Sequence, residues 1–418
     1  MTGAKVCFAR TLDEIRAIEA KHEARGLQYR IARLLVGAWV IAANGAVTVL
    51  KLCLFRRGSL PRRQVHDIVT YTAGTLGDNV ITLSSLAGLR RAFPNATITV
   101  IVNATGYDPE LSRKLLQEMH WLDRIVVVRD DPVGRKGLRI VVTYPVAERI
   151  PCDLFVNFSR FGNTGWLGAV VREIIFAKWL GAKWTIGFCI NAYNRPAAAI
   201  NRVKHHFVRN EPRRAAEVLR EIGLTPVNCA QALPRSAMAL AAISAKLGSA
   251  AGGRPLFVIN PGAKFKMKCW PAERFAALAA RLRREYAACV VVTGTASERS
   301  VGDEILRCAG DVGINLAGQT SVQELIELLR LCTACITNDT GTMHIAAELD
   351  KPTVAIFTTR VSPTHWFPKG KKVIALFSFG NDSYSYKNDG DAPCECLMKI
   401  EVEDVINGLQ QVLSPHSS

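Results

Sequence analysis

The stretch Ala334-Cys335-Ile336-Thr337-Asn338-Asp339-Thr340-Gly341-Thr342-Met343-His344-Ile345-Ala346-Ala347 decides how the chain is read. A short apolar run ends in small polar residues and turns directly into a helical pattern, the strand, turn and helix of a parallel α/β unit. At such a junction Thr340, Gly341 and Thr342 offer backbone N–H groups and hydroxyls at a helix N-terminus, a ready anion site. Asp339 and His344 fall at the same mouth, about one turn apart. A buried, hydrogen-bonded His344 is the structural alternative.

The same alternation extends outward from this stretch. Strands are expected at Leu256–Asn260, Ala288–Thr293, Ile314–Leu316 and Thr353–Phe357, with helices at Pro271–Tyr286, Ser297–Cys308 and Ser321–Leu331. An earlier block repeats the pattern, with strands at Asp67–Thr72, Thr97–Val102, Arg124–Val128 and Asp153–Asn157 and helices at Asn79–Phe93 and Tyr107–Glu118. Between the blocks, Gly248-Ser249-Ala250-Ala251-Gly252-Gly253 reads as a flexible linker. The predicted domains are therefore 66–247 and 254–413, after a basic helical extension over 1–65. Two such domains bind ligands in the cleft between them, at the carboxyl ends of their strands.

Three further junctions carry chemistry. After the first strand comes Gly74-Thr75-Leu76-Gly77-Asp78-Asn79, which places Asp78 at a helix N-terminus, either as a plain cap or as a catalytic carboxylate. After Leu256–Asn260 comes Pro261-Gly262-Ala263-Lys264-Phe265-Lys266-Met267-Lys268-Cys269-Trp270-Pro271. Its alternate lysines can present ammonium groups to a diphosphate, or can simply be solvated. The fourth junction is Thr293-Gly294-Thr295-Ala296-Ser297-Glu298. There Gly294 permits close approach of a ligand, and Glu298 can accept ribose hydroxyls or close a capping box with Thr295.

At 49% hydrophobic and 21% charged, the 418-residue chain is globular stock, which excludes disordered, collagenous and disulfide-scaffold classes. Its 12 cysteines are scattered rather than densely spaced, which points to a reducing compartment. Cys332 and Cys335 straddle a helix-to-strand junction with no second pair nearby, so they read as buried thiols rather than a zinc site. No metal ligand set and no cofactor are expected.

The formal charge is +17, of which residues 1–66 carry +8. Within them Thr11–Arg30 reads as a charged helix, so no signal peptide opens the chain. Leu34–Leu50 then runs 17 residues without a charge between Arg33 and Lys51, about 26 Å as a helix. Three arrangements are open: an interfacial helix, a membrane span weakened by Asn44-Gly45, or a helix packed on the protein. Flanking cations suit an anionic cytoplasmic leaflet. Nucleic acid is not needed to explain the charge, since no zinc-finger spacing, RNA-binding signature or aromatic interleaving accompanies it.

Several of these motifs together resemble glycosyltransferase family 9, the lipopolysaccharide heptosyltransferases and their relatives. They are Leu76-Gly77-Asp78 with its apolar helix to Pro94, Asn260-Pro261-Gly262, Lys268-Cys269-Trp270-Pro271-Ala272-Glu273-Arg274-Phe275, Leu316-Ala317-Gly318-Gln319-Thr320-Ser321 and Asn338-Asp339-Thr340-Gly341-Thr342-Met343-His344. The resemblance runs in order from about His66 to Leu413, and Cys394-Glu395-Cys396-Leu397-Met398-Lys399-Ile400 matches the family's C-terminal motif. It implies a GT-B fold, two Rossmann-like domains facing a central cleft. It also implies inverting, metal-independent transfer of a sugar from a nucleotide diphosphate sugar, typically ADP-heptose, to a lipid-linked saccharide at the inner face of the cytoplasmic membrane.

On that resemblance Asp78 is the general base and Lys268 stabilises the leaving diphosphate, with Lys264 in reserve. Gly294, Glu298, Asp339, Thr340, Gly341, Thr342 and His344 bind the donor. Two positions depart from the family pattern. Thr72 stands where members carry Arg or Lys, and Phe357-Thr358-Thr359 replaces a Phe-Gly-Pro turn. A non-catalytic nucleotide-sugar-binding scaffold and a transferase with a protein acceptor are the alternative functions.

Overall fold

The computed structural model describes residues 6–21, 27–56, 60–73, 75–103, 110–128, 150–159, 167–188, 210–227, 232–233, 235–380 and 394–414. Gly74 and the start of the helix expected from Tyr107 lie outside the described residues. The chain divides into two compact units, one of residues 25–233 and one of residues 1–24 with 234–418.

The first unit carries five parallel strands: β2 (Asp67–Ala73), β3 (Thr97–Asn103), β4 (Arg124–Val128), β5 (Leu154–Asn157) and β6 (Trp184–Ile186). Their order across the sheet is β4-β3-β2-β5-β6. The direction of progression reverses between β2 and β5, where Tyr71 pairs with Asn157. Such a reversal splays the connections apart and opens a crevice at the strands' carboxyl ends. Tyr71, Phe155 and Phe176 form an aromatic centre for this core.

The second unit holds β1 (Cys7–Ala9), β7 (Leu256–Asn260), β8 (Cys289–Val292), β9 (Gly313–Asn315), β10 (Ala334–Asn338), β11 (Thr353–Ile356) and β12 (Val373–Phe377). They are ordered β1-β12-β11-β10-β7-β8-β9. The last six are parallel and β1 is antiparallel at the edge, Phe8 against Leu376. Strands such as β7 and β10 are buried at every position, as expected of a parallel sheet covered on both faces. Here the reversal lies between β7 and β10, where Ile336 pairs with Ile259. Both units are thus α/β and Rossmann-like, as expected.

The N-terminal residues do not form a separate extension. Of the charged stretch expected as one helix, α1 covers Leu12–Lys21. The helix α2 then runs Leu27–Leu54, longer than the apolar run alone. β1 and α1 belong to the second unit, where buried Glu19 accepts from Ser362 Oγ at 2.6 Å and Thr364 Oγ1 at 2.8 Å. α2 belongs to the first unit, with Ala43, Val47 and Phe55 in its core.

The glycine-rich stretch is not the domain linker either. It ends the helix Ala237–Ala251, which kinks at Gly248 (φ 49°) and is stopped by Gly252 and Gly253 at positive φ. Helix stops of this kind use glycine because it has no Cβ to oppose the left-handed turn.

Candidate active site

In the second unit the switch point is built by two asparagines. Asn338, at the end of β10, donates through Nδ2 to Pro261 O at 2.7 Å and accepts from Trp270 N at 3.2 Å. It therefore clamps both ends of the lysine loop. Trp270 is buried, with its indole N–H on Ile400 O at 2.9 Å, so this end of the loop cannot drift. Asn260, at the end of β7, donates to Thr293 O at 3.1 Å. The sequence placed both asparagines at strand ends, but their clamping role appears only when β7 and β10 lie side by side.

Between the clamps Lys266–Lys268 forms one 3-10 turn, and Lys268 Nζ reaches Asp339 Oδ2 at 2.6 Å. The two side chains are only 15% and 8% exposed, so this ion pair is largely withdrawn from solvent. Lys264 points elsewhere: it is exposed, with its Nζ 5.3 Å from the centre of the Phe265 ring.

Thr340 is the N-cap of the helix Gly341–Glu348, yet its hydroxyl does not cap it. The hydroxyl turns instead to Asn260 Oδ1 at 3.3 Å and Thr337 Oγ1 at 3.2 Å. The first amides of the helix, from Gly341 and Thr342, are left without a capping side chain beside the Lys268–Asp339 pair. An uncapped helix N-terminus favours an anion through its N–H groups and its dipole. His344 is buried, and its ring stands edge-on to Trp366 with centroids 6.0 Å apart.

Glu298 forms the capping box with Thr295, its Oε2 accepting from Thr295 N at 2.7 Å. The same carboxylate lies over two glycines. A Cβ on Gly262 would come within 1.8 Å of Glu298 Oε1, and one on Gly294 within 2.7 Å of Oε2. Structural cap and mouth-facing carboxylate are therefore one arrangement, permitted by the missing side chains at Gly262 and Gly294. Cys269, at the end of the lysine loop, has its thiol pushed up by burial and by the negative charge of Glu298, which keeps it neutral.

In the first unit Asp78 is the third residue of α3 (Leu76–Ala92), and Thr75 is the N-cap. Asp78 N donates to Thr75 Oγ1 at 3.3 Å, and that hydroxyl donates in turn to Asp78 Oδ2 in a short contact. Asp78 is 4% exposed, at the carboxyl end of β2 beside the reversal. Thr72 is also buried, with its hydroxyl on Asn79 Oδ1 at 3.3 Å.

Across the reversal, at the end of β5, Asn157 Nδ2 donates to Glu173 Oε2 at 2.7 Å and Ser159 Oγ donates to Asn157 Oδ1 at 2.8 Å. The next turn is held by buried Arg214, which donates to Phe158 O at 2.7 Å and pairs with Glu211 at 2.7 Å. Sequence reasoning missed this network; Asn157 at a strand end was its one visible signal.

Among the described residues no three His, Cys, Asp or Glu side chains gather as a metal ligand set. Burial pushes the Cys332 thiol up to about 12 and that of Cys335 well above its usual value, and Cys332 Sγ donates to Leu329 O at 3.2 Å. The structure also joins Cys394 and Cys396 by a disulfide, a local link that spacing analysis did not anticipate.

Residues 181–391 match the profile of glycosyltransferase family 9 (heptosyltransferase). The chain is 40% identical over 171 residues to lipopolysaccharide heptosyltransferase 2 of Salmonella typhimurium, an alignment covering 38% of this chain and 47% of that one. It thus spans about half the length of that relative. Lipooligosaccharide heptosyltransferase 2 of Haemophilus ducreyi is 26% identical over 360 residues, 81% of this chain and 97% of its own.

The solved structure of the E. coli ADP-heptose lps heptosyltransferase II superposes with a TM-score of 0.56 at 21% identity, covering 83% of this chain and 98% of that one. That likeness is one of fold, the GT-B class of two Rossmann-like domains. The matched half of the chain is the half that builds the Lys268–Asp339 pair and the uncapped helix, and the chain belongs to glycosyltransferase family 9.

Proposed function

We propose that the chain transfers heptose from ADP-heptose to a lipopolysaccharide core or a related lipid-linked glycan, by an inverting displacement that needs no metal. The observation that carries this reading is the Lys268–Asp339 pair beside the uncapped helix N-terminus at Thr340–Thr342. When the bond from the sugar's anomeric carbon to the diphosphate breaks, negative charge builds on the leaving oxygens. An ammonium and helix amides already in place meet that charge without reorganising, which is how such sites lower barriers. Asp339 holds Lys268 ready through Oδ2, and its other oxygen accepts a donor hydroxyl.

Inversion by a single displacement needs a base on the acceptor. Asp78 takes the acceptor hydroxyl's proton as that oxygen attacks the anomeric carbon, and the Thr75 hydroxyl on Oδ2 orients the carboxylate. The heptosyltransferase names of the relatives support this choice of donor and acceptor. The place of action is the cytoplasmic membrane surface, with α2 as the contact, supported by outward apolar residues such as Leu34 (74% exposed) and Ile41 (75%).

The test is a thermal-shift panel of ADP-heptose, ADP-glucose, UDP-glucose and GDP-mannose, followed by transfer to a purified core acceptor. A donor at about 100 times its Kd stabilises by about 2.7 kcal/mol. ADP-heptose is expected to rank first, and a UDP- or GDP-sugar in that place would overturn the donor assignment.

A further inference from the structure

α2 has two different sides. Ala43 and Val47 are buried in the first unit's core, whereas Leu34, Leu35, Ile41 and Val49 are each 60% to 75% exposed. Within Leu34–Leu54 the one charged residue is Lys51. An apolar row of this length, laid along a folded domain, presents a surface to hydrocarbon rather than to water.

At the C-terminal end of α2 the first unit has a cavity of about 550 Å³. Phe55 and Trp184 wall it, and Lys51, Arg56, Arg62 and Glu221 supply its charge. Glu221 is already engaged, accepting from Gly187 N at 3.0 Å through Oε1 and facing Lys51 at 3.5 Å through Oε2. The guanidinium of Arg56 lies 5.3 Å over the Trp184 ring, and its backbone N–H is tied to Lys183 O at 2.9 Å. Arg62 sits on a short 3-10 turn and is exposed. Two guanidinium groups thus border a cavity with aromatic walls, at the point where an exposed apolar helix ends. Guanidinium suits phosphate because its planar fork donates two parallel hydrogen bonds.

We propose that this cavity is a headgroup site for an anionic phospholipid. Arg56 and Arg62 take the phosphodiester, and the acyl chains lie along the exposed row of α2. The proposal rests on α2 being the membrane contact, and it adds that the contact discriminates between lipids by charge at one place.

The experiment is co-sedimentation of the full chain with vesicles of phosphatidylcholine alone and of phosphatidylcholine mixed with phosphatidylglycerol. Wild type is expected to bind both and to prefer the mixed vesicles. Arg56→Ser with Arg62→Ser should weaken binding to mixed vesicles by about tenfold or more and leave binding to phosphatidylcholine unchanged. Arg62→Ser alone, on the exposed turn, should lose part of the preference without any risk to the core.

The control pair Arg91→Ser with Arg124→Ser removes the same charge, Arg124 lying on the opposite edge strand from β6. The headgroup site is overturned if the cavity variants fall no further than this control. Glycerol 3-phosphate at the same concentration as the vesicle phosphatidylglycerol should leave the preference intact, because it lacks the acyl chains that lie along α2. If it abolishes the preference as fully as the double variant does, the site is one for a free phosphate and the headgroup assignment is overturned. Wild type binding neither vesicle would overturn the membrane reading itself, and the headgroup site with it. A dimer in vesicle-free buffer that Leu34→Ser with Ile41→Ser abolishes would assign the row to a second copy.

Discussion

Lys268 and Asp339 lie 71 residues apart in the chain, yet their charged atoms stand 2.6 Å apart at the reversal between β7 and β10. Asp339 follows the end of β10, and Lys268 sits on the loop that Asn338 clamps at both ends, so the pair is set before any ligand arrives. Removing either partner leaves the other charge largely buried and unpaired, which costs more than the pair contributes. Lys268→Ala is expected to lower kcat about 100- to 1000-fold, in line with the loss of one preorganised stabiliser, and to lower the melting temperature. Lys268→Ala with Asp339→Asn should recover the melting temperature but not the turnover. Calorimetry beside steady-state kinetics checks both, and recovered turnover would remove Lys268 from the chemistry.

Asp78 has a structural and a proposed chemical role that one substitution separates. Asp78→Asn keeps a side-chain oxygen toward Thr75 but cannot take a proton. Turnover should fall by about 100- to 10,000-fold while nucleotide-sugar affinity stays within about twofold. Thr75→Ala, which removes the cap, should instead cost about 1 kcal/mol of stability. Single-turnover kinetics with denaturant titration distinguishes the two effects, and an active Asp78→Asn enzyme would exclude Asp78 as base.

Gly262 and Glu298 are coupled through space. A methyl group at Gly262 must displace the Glu298 carboxylate, which then loses its bond to Thr295 N. Gly262→Ala should therefore weaken donor binding and destabilise by about 1 kcal/mol. If the coupling holds, adding Glu298→Ala makes little further difference, since the same carboxylate is already displaced. Additive losses in a double-mutant cycle would refute it.

Asp153, at the end of the sheet away from the site, is expected to contribute to acid stability. Burial opposes its ionisation, but the Lys183 ammonium and the backbone N–H groups of His66 and Asp67 outweigh that and hold its pKa below the ordinary carboxylate value. A lowered pKa contributes stability above the unfolded value, near 4, that is lost as pH falls through the folded value. Asp153→Asn should destabilise at pH 7 by about 1 to 3 kcal/mol and flatten the acid limb below about pH 4. Equal acid limbs for variant and wild type in pH-dependent unfolding would contradict this.

Truncation should reveal how the N-terminal residues are divided. Removing residues 1–24 strips β1 from β12 and takes Glu19 away from Ser362 and Thr364. The second unit should melt several degrees lower. Removing residues 1–60 also takes Val47 and Phe55 from the first unit's core and is expected to give insoluble protein. A soluble, fully stable product would mean that these contacts contribute nothing.

The parallel α/β architecture was legible in the sequence because its signals are local. β-branched runs, glycine turns and helical periodicity each lie within a few residues, and the strand-to-helix junctions they mark hold Asp78, Lys268 and Asp339. The two-unit count was legible too, but not its boundary. A glycine run reads alike as a linker or as a helix stop, and only the contacts of Ala237–Ala251 with the second unit decide between them.

The short strands β1 and β6 carry too few residues for any periodicity, and β1 finds its place only by hydrogen bonding to β12, more than 350 residues away. The same holds for the site. Local pattern chose the residue types and put them at loop mouths. The bonding of Asn338 across to Pro261, the turning of the Thr340 hydroxyl away from its helix, and the seating of Glu298 over Gly262 depend on strands adjacent in space but distant in sequence. Nor does hydropathy give the two-sided burial of α2, because a helix apolar all round does not say which face a domain will cover.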